Sequence, residues 1–147
     1  MQDPSTQRLM LVLQSDPASG ELIQSVLAAH GGQTQMVAIA DPQDALDFLL
    51  RQGAYPAAPR PDLILLDLDL GGTHSGYELL ATIKGDERLR RIPIIVLTLS
   101  DQAGDIFKTY AAQGNCYVIR PGDRDRLVEI IRRIEEFWLN IVTLPQE

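Results

Sequence analysis

The sequence predicts an α/β protein built on a doubly wound parallel sheet. Short apolar runs of strand length alternate with segments whose apolar residues recur at helical spacing, and the connections between them are short. The apolar run at 63–66 is too short for a typical globular helix, which favours a strand buried on both faces. This run ends at Asp67, and open α/β sheets bind their ligands at the carboxyl ends of such strands.

Each element follows from a local pattern. The first two helices begin with Asp-Pro pairs at 16–17 and 41–42, where the acid acts as N-cap and proline occupies the first helical position. Tyr77, Leu79, Leu80 and Ile83 predict a third helix that ends near Gly85-Asp86. Asp101 is the expected N-cap of the fourth helix, and the last helix begins near Asp123. Strands are predicted at 9–13, 36–40, 63–66, 92–99 and 116–119.

Length and composition predict one domain over residues 7–144, preceded by a disordered segment 1–6 and ending in an apolar extension from about residue 137. The net charge of −7 argues against nucleic-acid binding through a basic surface. The single cysteine, Cys116, cannot form an internal disulfide, which fits a reducing compartment. No signal peptide or bilayer-spanning run is present in the sequence, so a cytoplasmic protein without a membrane partner is expected.

Polar side chains follow four of the predicted strands. Because parallel strands have their carboxyl ends at one edge of the sheet, the segment 14–16, Asp67, Thr98 and Arg120 are expected to converge there. An acid, a hydroxyl and a cation at one edge could bind a phosphoryl group. The carboxylate would act as nucleophile or metal ligand, the hydroxyl as a donor, and the cation as a partner for the added negative charge.

The chain resembles the response-regulator receiver family over nearly its whole length, and within it the stand-alone regulators of phytochrome histidine kinases. The segments that carry the resemblance are DPASGELIQSVL, DALDFLLRQGAY, APRPDLILLDLDL, RRIPIIVLTLS, GNCYVIRP and IEEFWLNIVTLP. The resemblance implies a flavodoxin-like (βα)5 fold with a five-stranded parallel sheet in the order 2-1-3-4-5. It also implies a phosphorelay signalling protein, not an enzyme, whose partner is a phytochrome-like sensor histidine kinase.

The resemblance assigns roles to the residues at the sheet edge. Asp67 corresponds to the aspartate that accepts a phosphoryl group from the kinase histidine and that also binds metal. Thr98 corresponds to the switch hydroxyl, and Tyr117 to the aromatic residue whose rotamer follows it. Arg120 and Pro121 stand where the family has Lys-Pro, the pair that contacts the phosphate.

The residues expected to bind metal depart from the family pattern. The family ends its first strand with two acids, whereas this chain has Gln14 and Ser15 there. Asp16 is a weaker metal candidate, because a one-residue shift on a strand turns the side chain to the other face and an N-cap role suits it better. The resemblance adds the backbone carbonyl of Asp69. Since Mg²⁺ prefers carboxylate oxygens in octahedral geometry, we expect Mg²⁺ binding at Asp67 to be weakened.

Three functional alternatives follow. The first is a regulator phosphorylated on Asp67. The second is a pseudo-receiver with impaired Mg²⁺-dependent phosphorylation, an interaction module that works without phosphate and in which Arg120 pairs directly with Asp67. The third, a flavin carrier or small hydrolase on the same fold, has little support because no hydroxyl-rich phosphate loop follows the first strand.

The C-terminal extension separately indicates a protein–protein interface. Its apolar residues continue beyond the expected end of the last helix, and an exposed apolar patch usually marks a partner surface. The resemblance agrees, because phytochrome-type regulators dimerise through this end of the molecule. A homodimer is therefore predicted, with an interface formed by Phe137, Trp138, Ile141 and Leu144.

Overall fold

The structure is a computed structural model that describes residues 7–14, 16–29, 34–68, 76–99 and 101–141. Within these ranges the strands are β1 (Arg8–Leu13), β2 (Thr34–Ile39), β3 (Leu63–Leu66), β4 (Ile94–Thr98) and β5 (Cys116–Ile119). They pair in parallel in one sheet of order β2-β1-β3-β4-β5. The predicted flavodoxin-like fold and its strand order are confirmed.

The described helices are α1 (Pro17–Ala29), α2 (Pro42–Leu50), α3 (Gly76–Gly85), α4 (Ala103–Ala111) and α5 (Arg124–Ile134). A π-helical segment, Glu135–Ile141, continues α5. Apolar residues of α1 and α5 pack on one face of the sheet, and those of α2 and α3 pack on the other. Of the helices in the described ranges, none has the length and apolar character needed to cross a membrane.

The core has one layer on each face of the sheet, and β1 contributes to both. Leu11 and Leu13 pack in the layer beneath α2 and α3. Met10 and Val12 point the opposite way, into the layer beneath α1 and α5, as alternation along a strand requires. Strand β3 lies between β1 and β4, and none of its residues, Leu63–Leu66, is more than 2% exposed. The strand predicted to be buried on both faces is therefore confirmed.

The helix starts agree with the sequence with one exception. Asp41 accepts a hydrogen bond from the Asp44 backbone N–H at 3.0 Å, and Asp123 caps α5 in the same way. The N-cap of α4 is Gln102, so the prediction of Asp101 was wrong by one residue. The Asp101 carboxylate instead accepts a bond from the Gln102 side-chain amide at 3.3 Å.

Strand boundaries also differ from the prediction, most of all in β2 and β4. Strand β2 begins at Thr34, before the apolar run that predicted it. Strand β4 is shorter than the predicted 92–99 because Pro93 has no N–H to donate and Leu99 is 68% exposed beyond the last paired residue.

The C-terminal extension is only partly exposed. Leu139 is 2% exposed, and Trp138 packs against the core layer beneath α1 and α5. Phe137 is 49% exposed and makes an edge contact with the Trp138 ring, with 5.7 Å between centroids. The extension therefore contributes to the core as well as to the surface. The Ile141 side chain and Leu144, both predicted in a dimer interface, lie outside the described residues, as does segment 1–6.

The buried Lys84 links α3 to the amino ends of β4 and β5. Lys84, near the end of α3, donates to the carbonyl oxygens of Arg90 at 3.1 Å and Ile92 at 2.9 Å, and to the Asn115 side-chain oxygen at 2.8 Å. That oxygen also accepts the Ile94 N–H at 2.8 Å, so α3, β4 and β5 share one junction. Burial lowers the pKa of Lys84 to about 8.

This lowered pKa predicts a pH-dependent stability. Because the Lys84 pKa is about 8 in the folded chain and about 10.4 in the unfolded chain, the unfolded state binds more protons between these values. Stability therefore rises with pH in that window. Relative to Lys84→Met, wild type should gain about 2 kcal/mol of unfolding free energy between pH 8 and pH 10, measured by urea denaturation.

The control is Lys108→Met, at the chain's other lysine, which is exposed on α4. It should show no such pH-dependent difference from wild type. A difference between wild type and Lys84→Met that stays constant from pH 7 to pH 10 would contradict the prediction.

Candidate functional site

Asp67 is fixed at the carboxyl end of the central strand by its neighbours. Its backbone N–H donates to the Leu13 carbonyl at 2.9 Å, which extends the pairing of β3 with β1 by one residue. Leu66 before it and Leu68 after it are both buried, whereas Asp67 itself is half-buried. The Asp67 carboxylate is therefore held at the edge of the sheet between two anchored side chains.

A glycine supports the backbone that follows Asp67. Gly76, the first residue of α3, donates its N–H to the Leu68 carbonyl at 3.1 Å. A β-carbon at Gly76 would lie 2.5 Å from Leu68 Cα and 2.9 Å from the Asp67 carbonyl oxygen. Both neighbours are backbone atoms and cannot rotate away, so α3 approaches Asp67 this closely only because residue 76 has no side chain.

Strand register brings Thr98 and Arg120 together. Thr98 ends β4, is 1% exposed and pairs with Ile119 on β5. The Arg120 backbone N–H donates to the Thr98 carbonyl at 2.6 Å, one residue beyond the strand. Tyr117 lies earlier on β5, opposite Val96, and its N–H donates to the Tyr110 hydroxyl at 3.2 Å.

The Arg120 side chain reaches helix α1. Its guanidinium donates to the hydroxyl of Ser19, and that hydroxyl donates to Asp16 Oδ2 at 3.1 Å. Asp16 Oδ1 accepts the Ala18 N–H at 3.1 Å, so Asp16 caps α1 as its sequence position suggests. The Arg120 guanidinium is thus bonded to Ser19, and a direct pair between Arg120 and Asp67 stays a prediction.

These side chains line a cleft of about 430 Å³ between the first turn of α1 and the connection from β5 to α5. Asp16, Ser19, Arg120 and Pro121 all contribute to its wall. The peptide bond between Arg120 and Pro121 is trans. The cleft brings the start of α1 beside the end of β5, whereas Asp67 and Thr98 are not among the described residues that line it. Their predicted convergence with the Arg120 side chain stays a prediction.

The oxygen donors fit a Mg²⁺ ion poorly. Gln14, 9% exposed at the end of β1, offers a neutral amide where a carboxylate would be needed, and Asp16 is engaged as a helix cap. Among the described residues there is no group of three or more His, Cys, Asp or Glu side chains that could hold a metal ion. Ser15 and Asp69, the other predicted participants, lie outside the described residues.

Tyr77 is a residue of this region that the sequence did not mark. Among the described residues its hydroxyl is buried without a hydrogen-bond partner, and it shares a core layer with Tyr117. Burial raises the pKa of Tyr77, and the Asp105 carboxylate raises it further. The Lys108 ammonium lies 5.6 Å from its ring centroid, within cation–π range. Tyr77 therefore stays a neutral phenol beneath α4.

Ser19 and Gly76 were also missed, although each has a local signal. Ser19 follows the cap Asp16 by three residues, the spacing at which a side chain on the first turn meets the cap. Gly76 is a glycine at the first position of a helix, where a close backbone approach is one explanation for its presence.

A half-buried aspartate ending the central strand, with a hydroxyl and a cation from the next two strands, defines a receiver-type site on a sheet of order 2-1-3-4-5. The chain belongs to the response regulator receiver domain family, whose model matches residues 10–132. The family inferred from the sequence is thereby confirmed.

Its relatives include phytochrome response regulators. Response regulator Rcp1 of Synechocystis sp. is 38% identical over 138 residues, covering 94% of this chain and 93% of its own. Among solved structures, the phosphorylated cyanobacterial phytochrome response regulator RcpA superimposes with a TM-score of 0.91 at 39% identity, covering 95% of this chain and 99% of that one. The Mn²⁺-bound form of Rcp1 gives 0.89 at 37% identity with the same coverage.

The close approach of α3 to Asp67 predicts the effect of Gly76→Ala. The added methyl must displace the Asp67–Leu68 backbone, which should cost about 2 kcal/mol of unfolding free energy, measured by urea denaturation. Gly85→Ala, at the other end of α3, is the matched control because a β-carbon added there would have no atom within 4 Å. Equal effects of the two substitutions would refute the argument.

Proposed function

We propose that this protein is a single-domain response regulator that accepts a phosphoryl group on Asp67 and signals by contact with other proteins. The observation that carries the proposal is the half-buried carboxylate of Asp67 at the end of the central strand, between the anchored Leu66 and Leu68. Thr98 and Arg120 on the next two strands supply a hydroxyl and a cation at the same edge. In this reading the chain is a signalling module and not an enzyme.

The proposed reaction needs little from the protein beyond position and charge. An Asp67 carboxylate oxygen attacks the phosphorus of a phosphohistidine, and the O–P bond forms as the P–N bond breaks. The imidazole leaves with the electron pair. The phosphoryl group adds negative charge at the sheet edge, where Thr98 donates a hydrogen bond and the Arg120 guanidinium offers two parallel N–H donors.

The proposed phosphoryl donor is a sensor histidine kinase of the phytochrome type. Its support is the likeness to RcpA, which is described as a cyanobacterial phytochrome response regulator and was solved in a phosphorylated form. For the metal we propose that Mg²⁺ assists but binds weakly, because Gln14 and Ser15 replace the acids of the family. The Mn²⁺-bound form of Rcp1 is a relative that holds a divalent ion.

A second candidate is a pseudo-receiver that binds partners without phosphate. The observation that favours it is the loss of both acids at the end of β1, with Asp16 engaged as the cap of α1.

A phosphoryl-transfer assay separates the two candidates. Radiolabelled acetyl phosphate and phosphoramidate, each with and without Mg²⁺, should label wild type and leave Asp67→Asn unlabelled, because the amide cannot act as nucleophile. Asp44→Asn, the same change at an exposed acid on α2, should label like wild type. Label retained by Asp67→Asn would refute the proposed acceptor, and no label under any condition would favour the pseudo-receiver.

We also propose that the chain forms a homodimer through its C-terminal extension. Phe137 is 49% exposed there beside Trp138, whose ring is partly covered by the core. Sedimentation equilibrium at micromolar concentration should therefore give a dimer, and Phe137→Asp should give a monomer by placing a charge in an apolar contact.

The control for the dimer is Phe107→Asp on α4, where the side chain is 73% exposed on a different element. It should leave the dimer intact. A monomeric wild type would overturn the dimer, and dissociation by Phe107→Asp alone would assign the interface to α4 instead.

A further inference from the structure

Arg120 is tethered at two points that differ in kind. Its backbone N–H is bonded to the Thr98 carbonyl at 2.6 Å, which fixes the residue to the end of β4. Its guanidinium donates to the Ser19 hydroxyl on the first turn of α1, 101 residues earlier in the chain. The backbone hydrogen bond to Thr98 is part of the sheet, whereas the side-chain bond to Ser19 can be replaced by another partner without moving a strand.

Ser19 is suited to accept this cation because its own hydrogen is already used. A serine hydroxyl has one hydrogen to donate, and that hydrogen goes to Asp16 Oδ2 at 3.1 Å. The hydroxyl oxygen is therefore left as an acceptor toward Arg120. Ser19 is 3% exposed, so water has little access to its hydroxyl. Hydrogen bonds therefore connect the Arg120 guanidinium to the Ser19 hydroxyl and that hydroxyl to the Asp16 carboxylate. The carboxylate also accepts the Ala18 N–H.

A phosphoryl group would offer Arg120 a better partner than this. The guanidinium forms two parallel hydrogen bonds with phosphate oxygens, and bonds between two charged groups are stronger than a bond to a neutral hydroxyl. The same side chain cannot satisfy both partners with the same nitrogen atoms. Binding of the phosphoryl group therefore competes with the contact between Arg120 and α1.

We propose that Ser19, backed by Asp16, is a positioning residue that holds the Arg120 guanidinium on α1 until a phosphoryl group on Asp67 competes for it. The competition rests on the proposed phosphorylation of Asp67, whereas the contact between Ser19 and Arg120 does not depend on it. Transfer of Arg120 to the phosphoryl group breaks the link between α1 and the β5–α5 connection across the 430 Å³ cleft. Phosphorylation would then change the surface at the start of α1.

The test uses the full chain and its Ser19→Ala, Ser19→Thr and Ser25→Ala variants. Ser19→Thr retains the hydroxyl and should restore wild-type behaviour. Ser25→Ala is the matched control, because Ser25 lies on the same helix and its hydroxyl bonds only the Glu21 carbonyl, at 2.9 Å.

The first readout is hydrogen exchange at the Arg120 guanidinium, followed by ¹⁵N NMR and assigned with Arg120→Lys. Exchange should be roughly tenfold faster in Ser19→Ala than in wild type, the effect of losing one charge-assisted hydrogen bond. Ser19→Thr and Ser25→Ala should exchange like wild type. Unchanged exchange in Ser19→Ala would overturn the proposal, whether or not the chain can be phosphorylated.

The second readout is the affinity for beryllofluoride, a phosphoryl analogue that binds aspartate. It should be roughly tenfold higher in Ser19→Ala, because Arg120 no longer has to leave Ser19. A beryllofluoride affinity of Ser19→Ala equal to or weaker than that of wild type overturns the proposed competition. Absence of beryllofluoride binding in every variant, together with faster exchange in Ser19→Ala, counts against the proposed function and supports the Ser19 contact on its own.

Discussion

The parallel pairing of β3 with β1 on one side and β4 on the other determines where every other part of the site lies. Leu66 is paired with Leu13 and with Val96, so β1 and β3 end level at one edge of the sheet and β4 continues to Thr98. The last hydrogen bond between β3 and β1 runs from the Asp67 N–H to the Leu13 carbonyl. A one-residue slip would exchange the residues that β3 presents to the two core layers and would draw Asp62 or Asp67 into the buried part of the strand. The pairing therefore fixes Asp67 in position.

The same sheet positions Thr98 and Arg120, but the residues at the end of β1 differ from the family pattern. Thr98 and Arg120 are joined through one backbone hydrogen bond, so the Arg120 backbone lies beside the end of β4, while its guanidinium reaches Ser19 on α1. The acids that would hold a metal are absent from the end of β1, where Gln14 is buried instead. The chain keeps the sheet of a receiver, and the proposed weakening of metal binding beside Asp67 follows from these two replacements.

Features that depend on local pattern could be predicted from the sequence. Strand β3 and the position of Asp67 just after it followed from an unbroken apolar run and its end, and the helix starts at Asp41 and Asp123 followed from residue type. The convergence of Thr98 and Arg120 needed only the rule that parallel strands end at one edge.

Features that depend on side-chain packing between distant elements could not be predicted. The contact between Arg120 and Ser19 joins residues far apart in the chain, and nothing local to either residue indicates the other. The C-terminal extension is similar, because whether Leu139 and Trp138 face solvent depends on how much of the sheet α1 and α5 leave uncovered. The close approach of Gly76 to Leu68 depends on how α3 packs after the loop.

We propose that the sheet positions Asp67 correctly and that the residues ending β1 weaken metal binding beside it. Isothermal titration of Mg²⁺ into wild type and Ser15→Asp tests this proposal, since the variant restores one acid at that strand end. Weak binding to wild type and roughly tenfold tighter binding to Ser15→Asp are expected, because an added carboxylate raises affinity for a hard cation. Equal Mg²⁺ affinity in the two proteins would contradict it.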